Sequence, residues 1–106
     1  MRQEYDSLGE FQLSDDEYFG IATARMLAIV DLCGPRIPHL LAVNVDRVRQ
    51  AQALALGQSG VWTDVLSESI QAAAERLIAD EVFFATQLRI CSLHGGGARS
   101  LVANID

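Results

Sequence analysis

The sequence contains no apolar run of the length that a membrane-spanning helix needs. Although half of its 106 residues are apolar, no stretch approaches the roughly 18 consecutive apolar residues of such a helix. The polar start MRQEYDSLGE also lacks the apolar region of a signal peptide. We therefore expect a globular, cytoplasmic protein that has no membrane partner.

Basic residues are scarce, with 8 Lys and Arg against 14 Asp and Glu and a formal net charge of −6. A chain of this charge has no general attraction for phosphate backbones, which argues against nucleic acid as a partner. No internal repeat or low-complexity tract divides the sequence, and its length is that of one domain. The prediction is a single domain over residues 1–106.

Few residues are suited to hold a metal ion or a redox group. The two cysteines, Cys33 and Cys91, show no C-x-x-C spacing and are interpreted as free thiols in a reducing compartment. His39 has no other His, Cys, Asp or Glu at a metal-ligand spacing. We expect neither a metal ion nor a cofactor.

Helical patterns are what the sequence does contain. Phe11 and Leu13 alternate as in a short strand, and Ser14 with Glu17 forms a capping box that predicts a helix over about residues 15–30. The stretch CGPRIP then ends this helix, because a glycine and two prolines interrupt helical hydrogen bonding.

Two amphipathic helices should follow. The first is predicted from Pro38 to the LGQSG stretch, where Gly57 suits a left-handed cap. Its apolar residues share one face: Leu41, Val45, Val48 and Ala55. The second has an apolar stripe at helical spacing: Trp62, Leu66, Ile70, Ala73 and Leu77. Because each stripe must be buried against a neighbour and a short Gly-Ser turn joins the helices, we expect an antiparallel helical hairpin.

The segment after Asp80 is compatible with a strand or a helix. In EVFFATQLRICSL one parity carries residues typical of strands: Val82, Phe84, Thr86, Leu88 and Ile90. ARSLVANID then has helical composition, and the glycines at 95–97 form a loop into which free N–H groups at the helix start would point, a geometry that binds anions. The predicted fold class is mainly α, a small helical domain with an antiparallel hairpin and a short strand-like amino-terminal lead.

The stretch EYDSLGEFQLSDDEYFGIATAR resembles the amino-terminal signature of the aspartase and fumarase family of lyases. That signature has a D-x-L-G-E stretch followed by a Y-Y-G-x-Q-T-x-R helix, and the matching positions here are Asp6, Leu8, Gly9, Glu10, Asp16, Tyr18, Gly20, Thr23 and Arg25. The resemblance continues through GPRIP and IQAAAERLI and returns at GGGARSLVAN. It implies a fold like the amino-terminal domain of that family.

The resemblance implies an activity that this chain does not supply alone. Family members are several times longer and form tetramers through a central helical bundle, with active sites built from segments of three subunits. Their catalytic serine lies in a G-S-S-x-M-P-x-K-x-N loop, and further segments read T-x-H and S-S-N-D. None of these segments is present here, so no catalytic residue is predicted.

The segment HGGGARSLVAN is similar to the family's G-x-G-T-x-x-N-M-N turn, which holds a substrate carboxylate. Gly97, Arg99 and Val102 stand where that turn, as fumarases have it, has a serine, the substrate-binding threonine and an asparagine. An arginine at the position of Arg99 also occurs in the related argininosuccinate lyases. The candidate substrate-binding residues of this degenerate motif are therefore His94, Gly95, Gly96, Arg99, Ser100 and Asn104.

Both interpretations of the charged candidates stay open. Arg99 would bind a carboxylate through its guanidinium, or it is a solvated or interface arginine. His94 would act as an acid or base, or it is structural. Bound dicarboxylates would be held weakly and with little specificity.

Two functions follow from these patterns. In the first, the chain is a non-catalytic, truncated relative of the lyases that oligomerises or binds another protein, such as a full-length relative. In the second, it is a lyase or lyase subunit acting on a C4-dicarboxylate, giving fumarate by elimination of ammonia or water, with an active site completed by another chain. We favour the first, because the base and the anion-holding groups that elimination needs are not visible.

Overall fold

The computed structural model describes residues 1–29, 34–91, 94 and 99–106. The chain divides into two compact units. The split unit consists of Met1–Ile37 and Thr86–Asp106, and the hairpin unit consists of Pro38–Ala85. The single domain over residues 1–106 stays a prediction.

The split unit begins with a two-stranded antiparallel sheet. Strand β1 (Arg2–Asp6) pairs with β2 (Gly9–Leu13), so that Arg2 lies opposite Leu13 and Asp6 opposite Gly9. Gly9 has a φ of 111°, a backbone conformation that side chains larger than hydrogen disfavour. The predicted strand over Phe11 and Leu13 is confirmed. Its partner β1 was not predicted, because RQEYD is mostly polar and lacks the β-branched residues that indicate a strand.

The first helix, α1 (Ile21–Ile29), begins later than the capping box predicted. The Asp16 N–H donates to Ser14 Oγ at 3.3 Å and the Glu17 N–H to the Ser14 carbonyl at 3.2 Å, which closes a turn and not a helix. The predicted helix start near Asp15 is therefore wrong. The predicted end at Val30 lies outside the described residues.

A side chain of β1 explains the late start. The Arg2 guanidinium donates hydrogen bonds to the carbonyl oxygens of Ser14, Glu17 and Phe19, which occupies acceptors that a helix through this segment would use. Glu4 Oε2 then accepts from the Ile21 N–H at 2.8 Å and caps α1. Bonding to Arg2 and, second, to this N–H lowers the pKa of the Glu4 carboxyl.

The core of the split unit lies between the sheet and α1. One buried cluster there consists of Leu13, Phe19 and Ala24, with Phe11 and Leu27 packed against them. Helix α5 (Arg99–Ile105) packs on α1 and confirms the predicted carboxy-terminal helix.

The hairpin unit is the predicted antiparallel pair of helices, α2 (His39–Gln58) and α3 (Asp64–Ala79). Pro38 stands directly before α2, as expected of a proline at a helix start. Thr63 Oγ1 accepts from the Leu66 N–H at 3.2 Å and caps α3. Two hydrogen bonds join the antiparallel helices. The Ser67 hydroxyl donates to the Ala53 carbonyl, and the Gln50 side chain donates to the Glu75 carboxylate.

The two helices pack through small residues and not through their larger apolar side chains. The buried residues are Ala42, Asp46 and Ala53 on α2, and Ser67 and Ala74 on α3. In contrast, Leu41, Val48 and Leu66 are 47%, 57% and 44% exposed. The prediction that the apolar stripes of α2 and α3 are buried against their neighbour is therefore wrong for these three residues, because small residues let the two backbones approach more closely.

Gly57 serves this close approach. It lies inside α2, so its predicted role as a left-handed cap is wrong, and Gly60, just beyond the end of α2, has a positive φ of 77°. A methyl group on Gly57 would meet Ser67 Cβ at 2.7 Å and would lie still closer to Ser67 Oγ. Glycine is required there because α3 lies against the backbone of α2.

The segment after Asp80 is helical before it becomes extended. Helix α4 (Glu81–Gln87) replaces the strand alternative, and Asp80 Oδ1 caps it by accepting from the Phe83 N–H at 3.0 Å. Beyond α4, Cys91 forms a single antiparallel bridge with Arg36. No helix within the described ranges is long and apolar enough to cross a membrane.

Candidate functional site

The predicted substrate-binding segment is described in part. Gly95, Gly96, Gly97 and Ala98 lie outside the described residues, so the glycine loop stays a prediction. Arg99 is exposed at the first residue of α5, whereas His94, Ser100 and Asn104 are buried at 5%, 6% and 7% exposure. Of the four described candidates, only Arg99 faces solvent.

The Asn104 side chain forms hydrogen bonds to backbone groups of its own chain. Its Oδ1 accepts from the N–H groups of Arg89 and Ile90 at 2.8 and 3.1 Å, and its Nδ2 donates to the Gln87 carbonyl at 2.9 Å. The amide therefore ties the segment that follows α4 to α5. Among the described residues it makes three of the four hydrogen bonds that an asparagine side chain can make.

The His94 ring also forms a hydrogen bond within the chain. Its Nδ1 accepts from the Cys91 N–H at 3.1 Å and lies 3.1 Å from Cys91 Sγ, which also accepts from the Gly34 N–H at 3.1 Å. Cys91 is a thiol, as predicted, and Cys33 lies outside the described residues.

We expect Asn104→Ala to lower the free energy of unfolding by about 2 kcal/mol, because two backbone N–H groups lose their acceptor in a buried place. Urea denaturation followed by circular dichroism measures the change. The control is Asn44→Ala, since Asn44 is exposed on α2 and should be neutral. Equal stability of the two variants would show that the Asn104 side chain does not support the fold.

The signature motif forms a clamp in this chain. Arg25 Nε and Nη2 donate to the two carboxylate oxygens of Asp6 at 2.7 and 2.9 Å, and Nη2 also donates to the Gly9 carbonyl at 3.0 Å. The guanidinium lies 5.3 Å from the centre of the Phe11 ring. Bonding to Arg25 lowers the pKa of the Asp6 carboxyl. The first and last residues of the signature thus hold the sheet against α1.

Other signature residues are placed differently. Leu8 and Tyr18 are 75% and 74% exposed, whereas Thr23 is 1% exposed and its Oγ1 has no hydrogen-bond partner among the described residues. Gln87 donates to the Asp16 carbonyl at 3.3 Å and accepts from the Tyr18 N–H at 2.9 Å. The sequence did not predict this bridge, because Gln87 is 69 residues from Tyr18 and belongs to no motif or periodic pattern.

Carboxylate, thiol and imidazole groups are not gathered into a metal site. Within residues 1–29, 34–91, 94 and 99–106, no three His, Cys, Asp or Glu side chains are placed to hold a metal ion. The rings of His39 and Phe84 instead lie nearly perpendicular to each other, with their centres 5.7 Å apart. His39 Nε2 lies 4.0 Å from Glu81 Oε1. The absence of a cofactor stays a prediction.

Comparisons with known proteins give relatives but no matching family model. Class II fumarate hydratases of Halobacterium salinarum and Thermosynechococcus vestitus are each 34% identical over 80 residues, which is 76% of this chain and 17% of theirs. An aspartate ammonia-lyase of a Bacillus species is 27% identical over 106 residues, all of this chain and 22% of that enzyme. This chain thus spans about a fifth of the length of the relatives that it matches. The matches confirm the resemblance indicated by the motifs: over part of those enzymes' length, this chain is similar to the aspartase and fumarase family of lyases.

Proposed function

We propose that this chain is a non-catalytic relative of the aspartase and fumarase lyases that acts by binding a second copy of itself or another protein. The observation that carries the proposal is the state of the predicted site. Two of its four described side chains, His94 and Asn104, are buried and bonded to the chain's own backbone.

Elimination across a C–N or C–O bond needs more than these residues provide. A base must reach a carbon-bound proton, and several donors must hold the dianionic intermediate that results. The candidate segment offers one exposed cation, Arg99, and a single exposed charge contributes little binding free energy. Losing one donor of this kind typically lowers a rate by about 10²–10³, so the loss of most of them supports catalytic silence.

The hairpin unit supports the binding part of the proposal. It carries large apolar side chains that are between 44% and 76% exposed: Leu40, Leu41, Val48, Leu54, Val61, Val65, Leu66 and Val82. Exposed apolar residues gathered on one small unit are typical of surfaces that bind protein. The hairpin unit, which carries none of the candidate site residues, thus offers apolar surface for binding.

Catalytic silence is directly testable. The purified chain, incubated with aspartate, malate or argininosuccinate, should give no rise in ultraviolet absorbance from fumarate above the rate of buffer alone. The matched control is Arg99→Ala, which should behave identically. Turnover by the native chain that disappears in Arg99→Ala would contradict the proposal and favour a lyase.

A lyase subunit whose active site is completed by another chain is the second candidate. The exposure of Arg99 favours it, because an accessible guanidinium can bind a carboxylate through a bidentate pair of hydrogen bonds. This candidate requires saturable shifts of the Arg99 and Ser100 amide signals when succinate is titrated into labelled protein. Unchanged signals up to millimolar succinate would remove it.

A further inference from the structure

One side chain between the helices of the hairpin unit differs in chemistry from its neighbours. Asp46 carries a carboxyl group and is 2% exposed. The other buried residues of α2 and α3 are small and uncharged: Ala42, Ala53, Ser67 and Ala74. A charged group in such an interface costs free energy that a neutral group of the same size does not. Packing alone therefore does not explain an acid at this position.

At the level of Asp46, α3 presents an alanine. The Ser67 hydroxyl donates to the Ala53 carbonyl at 2.7 Å, which places these two residues at the same level of the antiparallel pair. Asp46, seven residues before Ala53, therefore lies about level with Ala74, seven residues after Ser67. Ala74 is buried and has no polar side-chain atom. Asp46 Oδ2 accordingly has no hydrogen-bond partner among the described residues.

The amide side chains of this interface donate to other groups. Gln50 Nε2 donates to Glu75 Oε2 at 2.9 Å, and Gln71 Nε2 donates to Ser67 Oγ at 3.0 Å. Both bonds bypass Asp46. Its carboxyl is thus withdrawn from water without the hydrogen bonds that would compensate a buried charge.

The charges that act on Asp46 also disfavour its ionised form on balance. Burial is the larger cause, the negative charge of Glu75 on α3 adds to it, and Arg47 on α2 opposes both. Together they raise the pKa of the Asp46 carboxyl to about 6. Helix α3 is the element packed along α2, and its remaining charged residues are exposed: Asp64, Glu68 and Arg76.

We infer that Asp46 is a pH-sensitive switch in the hairpin unit: α2 and α3 stay packed while its carboxyl is protonated, and they separate locally when it ionises. Separation gives the carboxylate the water that the packed helices exclude, and local opening of one unit does not require the other to unfold. The inference goes beyond the proposed function, because it concerns the hairpin unit whether or not the chain is catalytic.

The carboxyls of the split unit respond to pH in the opposite sense. Hydrogen bonds from Arg2 and Arg25 lower the pKa of Glu4 and Asp6, respectively. A lowered carboxyl pKa stabilises a fold at high pH, and this contribution is lost as the pH falls. The raised pKa of Asp46 stabilises at low pH, and its contribution is lost as the pH rises from 3.8 to about 6. Raising the pH should therefore loosen the hairpin unit and not the split unit.

Hydrogen exchange followed by mass spectrometry tests this difference within one chain. The exchange rate of each peptide is divided by the rate of the same unstructured peptide at the same pH, which gives its protection. Between pH 4.5 and 7.5, the protection of α2 and α3 should fall about 25-fold, as a carboxyl pKa of about 6 when packed and 3.8 when open implies. The protection of β1 and β2 should stay constant or rise.

Two variants and one titration assign the fall to Asp46. Asp46→Asn removes the titrating group and should abolish the fall. Glu68→Gln is the matched control, because Glu68 is an exposed carboxylate on α3, and it should keep the full fall. A carbon NMR titration of the Asp46 carboxyl gives a reading that does not depend on exchange. Its midpoint should lie near pH 6, and a midpoint near 3.8 would overturn the switch.

The other outcomes also decide the inference. Equal protection of α2 and α3 at both pH values, a fall that Asp46→Asn retains, or an equal fall in the two strands would each overturn it. So would an Asp46→Asn variant that fails to fold, because packing would then require the carboxylate. Fumarate production would instead overturn catalytic silence and leave the switch unaffected.

Discussion

Gly57→Ala should lower the free energy of unfolding by about 3 kcal/mol, the upper part of the range for adding a methyl group to a packed interface. Helix propensity alone predicts the opposite, since alanine stabilises a helix interior by about 0.5–1 kcal/mol relative to glycine. The added Cβ would lie 2.7 Å from Ser67 Cβ, so the two helix backbones must separate. Urea denaturation followed by the fluorescence of Trp62, the only tryptophan in the chain, reports on the unit in question.

Two further variants assign the loss to this contact. Gly60→Ala adds a methyl group where nothing lies within 4 Å, and should cost only about 1 kcal/mol, from its positive φ. Ser67→Gly removes the side chain that Gly57→Ala would strike. The double variant should therefore be more stable than the sum of the single changes, and strict additivity would refute the proposed clash.

Asp46→Asn should stabilise the protein at pH 8 by about 2 kcal/mol and have little effect at pH 4. Asp46 is 2% exposed in the packing face of α2, and its Oδ2 has no hydrogen-bond partner among the described residues. Burial, and second the charge of Glu75, raise the pKa of the Asp46 carboxyl from 3.8 to about 6. Replacing the carboxylate with an amide removes the buried charge, and the desolvation of a neutral amide costs less free energy than that of a carboxylate.

The sign of the pH dependence follows from this raised pKa. The folded chain holds the Asp46 proton more tightly than the unfolded chain, so the full contribution is present below pH 3.8 and is lost as the pH rises to about 6. The difference corresponds to about 3 kcal/mol. Denaturation at pH 4, 6 and 8 should show this loss in the native chain relative to Asp46→Asn. A parallel pH profile of the two would contradict a raised pKa, and Glu75→Gln should reduce the slope.

The periodicity of apolar residues predicted where the helices of the hairpin unit lie, but it did not predict which faces pack together. Pro38, the LGQSG turn and the repeat of apolar residues placed α2 and α3 within one or two residues of their bounds, because caps and breakers act locally. The same repeat pointed to the wrong packing face. Alanines have no strong hydrophobic signal, and the close approach that makes Ala42 and Ala53 favourable depends on the other helix.

Local rules failed where a distant side chain competes with them. Ser14 and Glu17 form a correct capping box in the sequence, but Arg2 takes the carbonyls of both. The candidate site shows a related limit. A motif match identifies an asparagine but does not show whether its side chain binds a substrate carboxylate or backbone groups of its own chain. The similarity at Asn104 therefore did not distinguish the two roles.

The division of the chain also orders the events of its synthesis. The hydrogen bond from the Tyr18 N–H to Gln87 Oε1 joins residues 69 apart, and the ion pair of Glu17 with Arg89 joins residues 72 apart. The sheet and α1 therefore emerge from a ribosome well before the residues that complete their unit. The hairpin unit has its contacts close in sequence, and such local contacts form quickly. The two helices of the hairpin unit can therefore form their contacts before α5 is available to pack on α1.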